Sequence, residues 1–286
     1  MRSIKIIKIK NQIKKLITAA SFNLPSDIKD SVLRAFYAEK NITAKKILEL
    51  ILKNSEIAAR KKIPLCQDCG NVYIDIHIGD NICIEKFSFL QDIANQAVAE
   101  AYAENYLRKS IVSDPLFKRI NTNDNTPAYL NILPADNLNG LEISVFLKGG
   151  GSENCSFLYI LNPSDGPEAI SSNVLEAVRK NVTKSCPPVI IGIGIGATSS
   201  KVTELARKAA FRNLKIRNSD EKYRILEDDI LEKINNTGIG PAGLGGLTTA
   251  LAVNIEYMPC HMATLPVAVS FACHSLRRAS SKILFP

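Results

Sequence analysis

One apolar segment constrains the fold of this 286-residue chain more than any other. Residues 187–196, PPVIIGIGIG, run for ten positions without a charged side chain. The run is much shorter than the roughly 18 apolar residues that a membrane-spanning helix requires, and no other stretch approaches that length, so no membrane span is predicted. An apolar run this short is typical of a buried strand.

Strand and helix patterns alternate along the rest of the chain. Strands are predicted at 72–78, 141–147, 187–196 and 266–273. Helices are predicted throughout 1–60, where Ser26 and Thr43 are candidate caps, and at 87–107, 168–182, 200–214 and 220–235. This alternation predicts an α/β fold with a mixed sheet flanked by helices and a helical N-terminal region. Without repeats or linker-like stretches, residues 1–286 are expected to form a single domain, with 1–60 helical and 61–286 its α/β core.

The positive charge is concentrated at the start of the chain. The 36 Lys and Arg residues exceed the 28 Asp and Glu residues to give a net charge of +8, and six basic residues precede the first acid, Asp27. With few aromatic residues to stack on bases, nucleic-acid binding is not predicted, and a solvated helix face is favoured. The segment has no long apolar core, which argues against a secretory signal. A cytoplasmic location is expected, with an organelle matrix as the alternative because of the basic start.

Seven cysteines are scattered along the chain. An odd number without a secretion signal argues against a disulfide framework and favours reduced thiols, some of them as metal ligands. Cys66 and Cys69 form a single CxxC pair, which is a weak zinc or redox signal because a structural zinc site needs a second pair of ligands. Cys186 precedes two prolines, and the rigid corner they form suits a metal ligand.

Eleven of the 15 glycines fall into three short clusters, at 149–151, 192–196 and 238–246, which predicts loops that approach something closely. The first cluster, with Lys148, could bind a carboxylate or phosphate through backbone N–H groups, or could be a plain tight turn. The second matches in outline the dinucleotide-binding pattern Gly192-x-Gly194-x-x-Ala197, with Asp220 about 20 residues further on. A nicotinamide-linked dehydrogenase is therefore an alternative, although that pattern usually opens a domain.

Six segments, in order, resemble the class I iron–sulfur fumarate hydratases. They are PLCQDCG at 64–70, LRKSIV at 107–112, NTNDNTP at 121–127, KGGGSENCS at 148–156, CPPVIIGIGIGAT at 186–198 and the segment that starts at GIGPAGLGG and ends at His274. The resemblance covers nearly the whole chain and implies an alpha subunit that reversibly hydrates fumarate to L-malate, a step of the tricarboxylic acid cycle. L-tartrate dehydratase alpha chains share the general pattern, so a tartrate or other hydroxy-diacid dehydratase is an alternative, as is a non-catalytic iron–sulfur module.

The resemblance also implies the site. A 4Fe–4S cluster would be held by Cys66, Cys186 and Cys273, leaving one iron open as a Lewis acid. The dicarboxylic acid substrate would be bound by Gln67, Asp68, Arg108, Gly149, Gly150 and Gly151. A guanidinium suits a carboxylate because it can donate two parallel hydrogen bonds. Asp68 would assist proton transfer and His261 would lie near the active site, whereas His274 would be structural or support a ligand. Ordinary buried roles are expected for Cys83, Cys155 and Cys260.

Three departures from the family pattern bear on these expectations. Cys69 stands where the family usually has threonine, and could perturb the cluster, offer a thiol during oxidation or simply be tolerated. Lys109 replaces what is more often a small residue. The second domain of one-chain enzymes is expected on a separate chain, because the motifs end at His274, twelve residues before Pro286. The resemblance therefore implies a hetero-oligomer with a separate fumarase beta subunit, and a chain that is weakly active or inactive alone.

Overall fold

The computed structural model describes residues 2–285, which form two compact units. Unit 1 consists of Met1–Pro25, Ser55–Gly150 and Arg277–Pro286, and unit 2 consists of Ser26–Asn54 and Gly151–Leu276. Each unit is thus assembled from separate stretches of chain. The single domain expected over 1–286 stays a prediction beside this division.

Helices and strands alternate, which confirms the α/β class. The helices are α1 (Ile6–Phe22), α2 (Ser26–Ala38), α3 (Ile42–Lys61), α4 (Leu90–Glu104), α5 (Gly150–Glu153), α6 (Gly166–Asn181), α7 (Ser199–Phe211) and α8 (Glu221–Asn235). The strands are β1 (Arg2–Ile4), β2 (Asn71–Gly79), β3 (Ile82–Ile84), β4 (Tyr129–Ala135), β5 (Gly140–Lys148), β6 (Phe157–Leu161), β7 (Val189–Gly196), β8 (Ala250–Met258), β9 (Leu265–Ala272) and β10 (Arg277–Leu284). Within residues 2–285, none of the helices has the length and apolar character needed to cross a membrane.

Unit 1 contains a four-stranded mixed sheet in the order β10-β5-β2-β4. Strand β5 pairs antiparallel with both β10 and β2, whereas β2 pairs parallel with β4. Ile74 and Ile76 of β2 are fully buried in the same apolar core as Ile13 and Ile17 of α1 and Val98 of α4. A separate parallel pair, β1 with β3, adds the first strand of the chain, which the helical prediction for 1–60 did not include.

Two of the four lysines of α1, Lys10 and Lys14, are only partly exposed, whereas Lys8 and Lys15 are exposed. Lys10 binds Glu100 of α4 at 2.5 Å, and Lys14 binds Glu104 at the same distance. The side chain of Lys10 is only 14% exposed. The prediction of a solvated basic face is therefore wrong for these two lysines, which join α1 to α4.

Unit 2 contains the second mixed sheet, in the order β6-β9-β7-β8. All eight residues of β7 are buried, as predicted for the apolar run. Strand β7 pairs parallel with β8 and antiparallel with β9, so it lies inside the sheet. Residues 2–285 therefore contain two four-stranded mixed sheets, whereas the sequence predicts one.

The glycines of β7 allow helix α7 to pack closely on the strand. A Cβ atom on Gly192 would lie 2.1 Å from the carbonyl oxygen of Ala206, and one on Gly194 would lie 2.2 Å from that of Val202. Both glycines lie within the strand and not in the turn after it, where the dinucleotide-binding pattern needs its first glycine. Asp220 caps α8 by accepting the N–H of Lys222 at 2.9 Å. The dehydrogenase alternative thus loses its structural basis.

Candidate active site

The candidate site in unit 1 is built around the loop that precedes β2. Asp68 lies in this loop, and Pro64 separates the loop from the preceding helix. The Asp68 carboxylate accepts two backbone hydrogen bonds, from Gly70 N–H to Oδ1 at 3.0 Å and from Gly150 N–H to Oδ2 at 2.7 Å. These bonds fix the side chain against the glycine loop. The adjacent Gln67 is exposed and Cys66 is half-buried.

Three buried side chains hold the carbonyl groups of the same loop. The Tyr102 hydroxyl donates to the carbonyl oxygens of Cys69, at 2.9 Å, and Gly70, at 3.1 Å. Burial raises the pKa of Tyr102, so its hydroxyl keeps the proton that it donates. Asn125 donates to the Gly70 oxygen at 3.1 Å, and Arg277 donates to the Asp68 oxygen at 2.5 Å. The loop conformation is thus determined by contacts from distant parts of the chain.

Cys69 is a buried hydrogen-bond acceptor in this loop. Its Sγ atom accepts the backbone N–H of Arg108 at 3.2 Å, and its side chain is 1% exposed. Burial raises the pKa of the Cys69 thiol, while the Arg108 N–H and the positive charge of Arg277 offset part of that rise. The thiol therefore joins two segments in which the sequence predicts substrate-binding residues. This contact favours the interpretation that cysteine is tolerated in place of threonine.

The Arg108 side chain is exposed beside the loop. Among residues 2–285 its guanidinium makes no hydrogen bond or ion pair, while its backbone is fixed by Cys69. Asn125 supports the same segment by accepting the N–H of Ser110 at 2.8 Å. A guanidinium held in this way is available for an anionic ligand.

The glycine run 149–151 crosses the boundary between the two units. In unit 1, a Cβ on Gly149 would lie 2.8 Å from Oδ2 of Asp68, so glycine leaves room for the carboxylate in the position that it occupies. In unit 2, a Cβ on Gly151 would lie 2.6 Å from the carbonyl oxygen of Lys184, two residues before Cys186. The anion that the loop binds in this structure is the protein's own Asp68. Lys148, expected to contribute to an anion site, is 4% exposed.

Cys186 and Cys273 lie at the same end of the sheet in unit 2. Ile190 pairs with Ala272, so the start of β7 faces the end of β9, next to Cys273. Nδ1 of His274 lies 2.9 Å from the carbonyl oxygen of Cys186, and it must carry the proton to donate this bond. Burial lowers the pKa of His274. This contact agrees with a structural role for His274 that brings the two cysteine segments together.

His261 lies at the other end of the same sheet, in the connection from β8 to β9. Its Nδ1 accepts the N–H of Ala263 at 3.2 Å and stabilises that turn. Strand β9 separates His261 from Cys273, and its eight residues span roughly 26 Å at about 3.3 Å per residue. The structure therefore does not place His261 beside Cys186 and Cys273, and its catalytic role stays a prediction.

The chemistry of the predicted cluster ligands fits the role of binding an external group. All seven cysteines are thiols, and Cys186 is exposed while Cys66 and Cys273 are half-buried. Thiolates are the ligands that iron–sulfur clusters require. Among residues 2–285, no His, Cys, Asp or Glu side chains are grouped in threes or more so as to hold a metal ion. The three-cysteine ligand set therefore stays a prediction.

The other cysteines divide into two classes. Cys155 is buried, as predicted, and its Sγ lies 3.2 Å from the carbonyl oxygens of Gly151 and Asn181. Cys83 and Cys260 are exposed, so the prediction that they are buried is wrong. Cys83 is the middle residue of the three-residue strand β3, whose neighbours on either side are buried, and the alternation of the strand turns it outward.

Sequence reasoning missed three residues of the unit 1 site: Tyr102, Asn125 and Arg277. Asn125 lies within the NTNDNTP segment, so the motif located it without indicating what it does. Tyr102 occurs in an alanine-rich helix and Arg277 in a polar strand, and neither setting carries a local signal of function.

Comparison with known proteins gives matches along nearly the whole chain. The family model described as fumarate hydratase (Fumerase) matches residues 10–282. A Methanocaldococcus jannaschii protein provisionally named L(+)-tartrate dehydratase subunit alpha is 39% identical over 280 residues, covering 97% of this chain and 98% of that protein. The L(+)-tartrate dehydratase subunit alpha of Escherichia coli (strain K12) is 32% identical over 265 residues, covering 91% of this chain and 86% of that protein.

Proposed function

The chain belongs to the fumarate hydratase (Fumerase) family, and from that premise we propose that it is the alpha subunit of a hydro-lyase that reversibly adds water to fumarate to give L-malate. The observation that carries the proposal is the family match over residues 10–282, which includes every predicted site residue. Fumarate as substrate would place the enzyme in the tricarboxylic acid cycle.

Cys66, Cys186 and Cys273 are the proposed ligands of a 4Fe–4S cluster. When bound, the cluster supplies an iron without a protein ligand, which acts as a Lewis acid on a substrate hydroxyl or carboxylate. The proposal is supported by the accessibility of the three thiols and by the hydrogen bond from His274 to the Cys186 carbonyl, which brings the Cys186 and Cys273 segments together.

Arg108 is the proposed partner of a substrate carboxylate. Its exposed guanidinium can donate two parallel hydrogen bonds to a carboxylate, and its backbone is held in place by Cys69. Gln67, exposed in the neighbouring loop, can donate and accept hydrogen bonds to the same substrate. The charge for binding a dianion thus comes partly from this chain and partly from a partner.

Asp68 is the proposed proton-transfer residue. Each oxygen of its carboxylate accepts one backbone N–H and has a further lone pair, so a proton can still be bound there. The two amides fix the orientation of the carboxylate, which is what general acid–base catalysis requires of its group. Gly149 leaves the space that this orientation needs.

A separate partner subunit is part of the proposal. The two relatives described above are both named as alpha subunits, which supports a hetero-oligomer. We propose that the partner has the fumarase beta pattern and supplies further basic residues to the substrate. The alpha chain alone is expected to be weakly active or inactive.

Tartrate is the second candidate substrate, and the names of the two relatives favour it. L(+)-tartrate, like malate, carries a hydroxyl group on the carbon next to a carboxylate, so the same arrangement of carboxylate-binding and proton-transfer groups could serve. Assays of the reconstituted alpha–beta pair with fumarate, mesaconate and tartrate decide between these substrates.

The decisive test starts from anaerobically reconstituted chain. We expect the broad visible absorption of an iron–sulfur cluster, its loss in each of the variants Cys66→Ser, Cys186→Ser and Cys273→Ser, and its retention in Cys83→Ser. Cys83 is a matched control because it is an exposed thiol with no predicted ligand role. Retention of the cluster in all three ligand variants would refute the assignment, and absence of any hydro-lyase activity in the complete alpha–beta complex would refute the function.

A further inference from the structure

Arg277 is a buried cation at the start of the last described strand. It is 2% exposed, and it pairs in the sheet with Leu147, two residues before Gly149. Long charged side chains are rarely buried without a partner because removing a charge from water is costly. The groups that contact the Arg277 guanidinium therefore show which interactions stabilise it in the interior.

The Arg277 guanidinium contacts the loop that carries Asp68. Its Nη1 donates to the Asp68 carbonyl oxygen at 2.5 Å, while its Nε is buried without a hydrogen-bond partner in the part of the chain that the structure describes. A Cβ on Gly149 would lie 3.6 Å from Nη2 of Arg277 and 2.8 Å from Oδ2 of Asp68. The guanidinium and the Asp68 carboxylate thus flank the same glycine.

The charge of Arg277 is not neutralised by a salt bridge among residues 2–285. The side chains of Asp68 and Arg277 both lie next to Gly149. The Asp68 carboxylate accepts hydrogen bonds from the backbone amides of Gly70 and Gly150. Arg277 therefore acts on Asp68 through a hydrogen bond to its backbone carbonyl group.

We propose that Arg277 is a positioning residue that fixes Asp68 in the orientation in which its carboxylate accepts the N–H groups of Gly70 and Gly150. The role of that orientation in hydration rests on the proposed function. The orientation itself is a property of this chain and can be measured without activity. No direct contact between Arg277 and the substrate is required.

The test measures hydrogen exchange of the full chain in three variants, Arg277→Gln, Arg277→Lys and Lys282→Gln. In Arg277→Gln the amides of Gly70 and Gly150 are expected to exchange about tenfold faster, a factor that corresponds to about 1.4 kcal/mol. Arg277→Lys keeps the charge with a single-point donor, so an intermediate increase is expected. Lys282→Gln removes a positive charge from the exposed side of the same strand, where it pairs with Glu142 at 3.6 Å, and should change neither amide.

If Arg277 only stabilised the fold of unit 1, its replacement would change hydrogen exchange over a wider region. Faster exchange throughout β5 and β10 to the same extent as at Gly70 and Gly150 would overturn the proposal, as would unchanged exchange at these two glycines. If Arg277→Gln does not fold, Arg277→Lys decides by the same criterion.

Kinetics of the alpha–beta complex add a second readout. We expect Arg277→Lys to lower kcat with little change in KM and to retain part of the activity that Arg277→Gln loses, whereas equal activity in the two variants and wild type would count against positioning. If the wild-type complex has no hydratase activity, the proposed function fails while the exchange result still judges Arg277.

Discussion

The Gly150 amide donates a 2.7 Å hydrogen bond to Oδ2 of Asp68, so a residue predicted to act on the substrate occupies the glycine loop predicted to bind it. The predicted proton-transfer residue and the predicted anion-binding loop are therefore hydrogen-bonded to each other. A substrate carboxylate that entered this loop would have to displace the side chain of Asp68. Arg108, whose guanidinium is exposed, is the better candidate for the first contact with an anionic substrate.

Asp68→Asn tests this relationship directly. The amide side chain keeps one acceptor oxygen, so one of the two backbone N–H groups loses its partner, at a cost of about 1–3 kcal/mol. Hydrogen exchange should accelerate at whichever of Gly70 and Gly150 loses its acceptor, and activity of the alpha–beta complex should fall. Asp114→Asn is the matched control because Asp114 also accepts backbone N–H groups, from Leu116, Phe117 and Lys118. Unchanged exchange at both Gly70 and Gly150 in Asp68→Asn would contradict the two contacts.

Tyr102→Phe should destabilise unit 1. The hydroxyl bonds two carbonyl groups in a fully buried position, and its loss leaves the Cys69 oxygen without that donor. A destabilisation of about 1–3 kcal/mol is expected from an unsatisfied buried acceptor and can be measured by urea unfolding. Tyr106→Phe removes a hydroxyl from a side chain that is 93% exposed, and a loss of stability equal to that of Tyr102→Phe would argue against the specific role.

Cys69 should resist alkylation. Burial raises its pKa, so at any pH below that value the reactive thiolate is a smaller fraction of the thiol than at an ordinary cysteine. Peptide mapping after iodoacetamide treatment at increasing pH should show Cys83 labelled first and Cys69 only at higher pH. Equal labelling rates at the two cysteines would mean that the loop around Cys69 opens in solution.

Gly192→Ala should be strongly destabilising. The new methyl group would lie 2.1 Å from the backbone of α7, and overpacking of this kind costs about 1–3 kcal/mol or more. Gly238→Ala separates this effect from backbone strain, because Gly238 has a φ of +67° and open space around it. The cost of Gly238→Ala should be about 1–2 kcal/mol.

Titration of the protein with NADH should give no binding, because Gly192 and Gly194 serve the packing of α7 on β7. Saturable binding would restore the dehydrogenase alternative.

The strands that could be predicted are those in which the apolar positions of the sequence match the buried positions of the strand. Strand β7 is apolar throughout and β2 alternates, so both were located. Strands β4 and β10 are the edges of the unit 1 sheet, where pairing on one side tolerates Pro134 and a polar sequence such as RRASSKIL. Local periodicity is weak at such edges.

Helix α3 is capped two residues earlier than predicted. The side chain of Asn41, and not that of Thr43, accepts the first backbone N–H groups.

The candidate site could be predicted residue by residue but not as a set of contacts. Motifs located Asp68 and Gly150, yet the bond between them joins positions 82 apart in the chain. Arg277 contacts Asp68 from 209 positions away and occurs in a strand with no functional signal. Contacts over such separations depend on how strands are ordered in the sheet, and residue spacing does not contain that order.

The position of β10 has a consequence for biosynthesis. A chain made from its N-terminus exposes β5 as an open strand edge until Arg277–Leu284 has been translated. The Asp68 loop, although made early, lacks its Arg277 contact for the same period. Completion of unit 1 is thus a late event in synthesis, and a nascent chain that stalls before residue 277 carries both an unpaired edge and an unfinished loop.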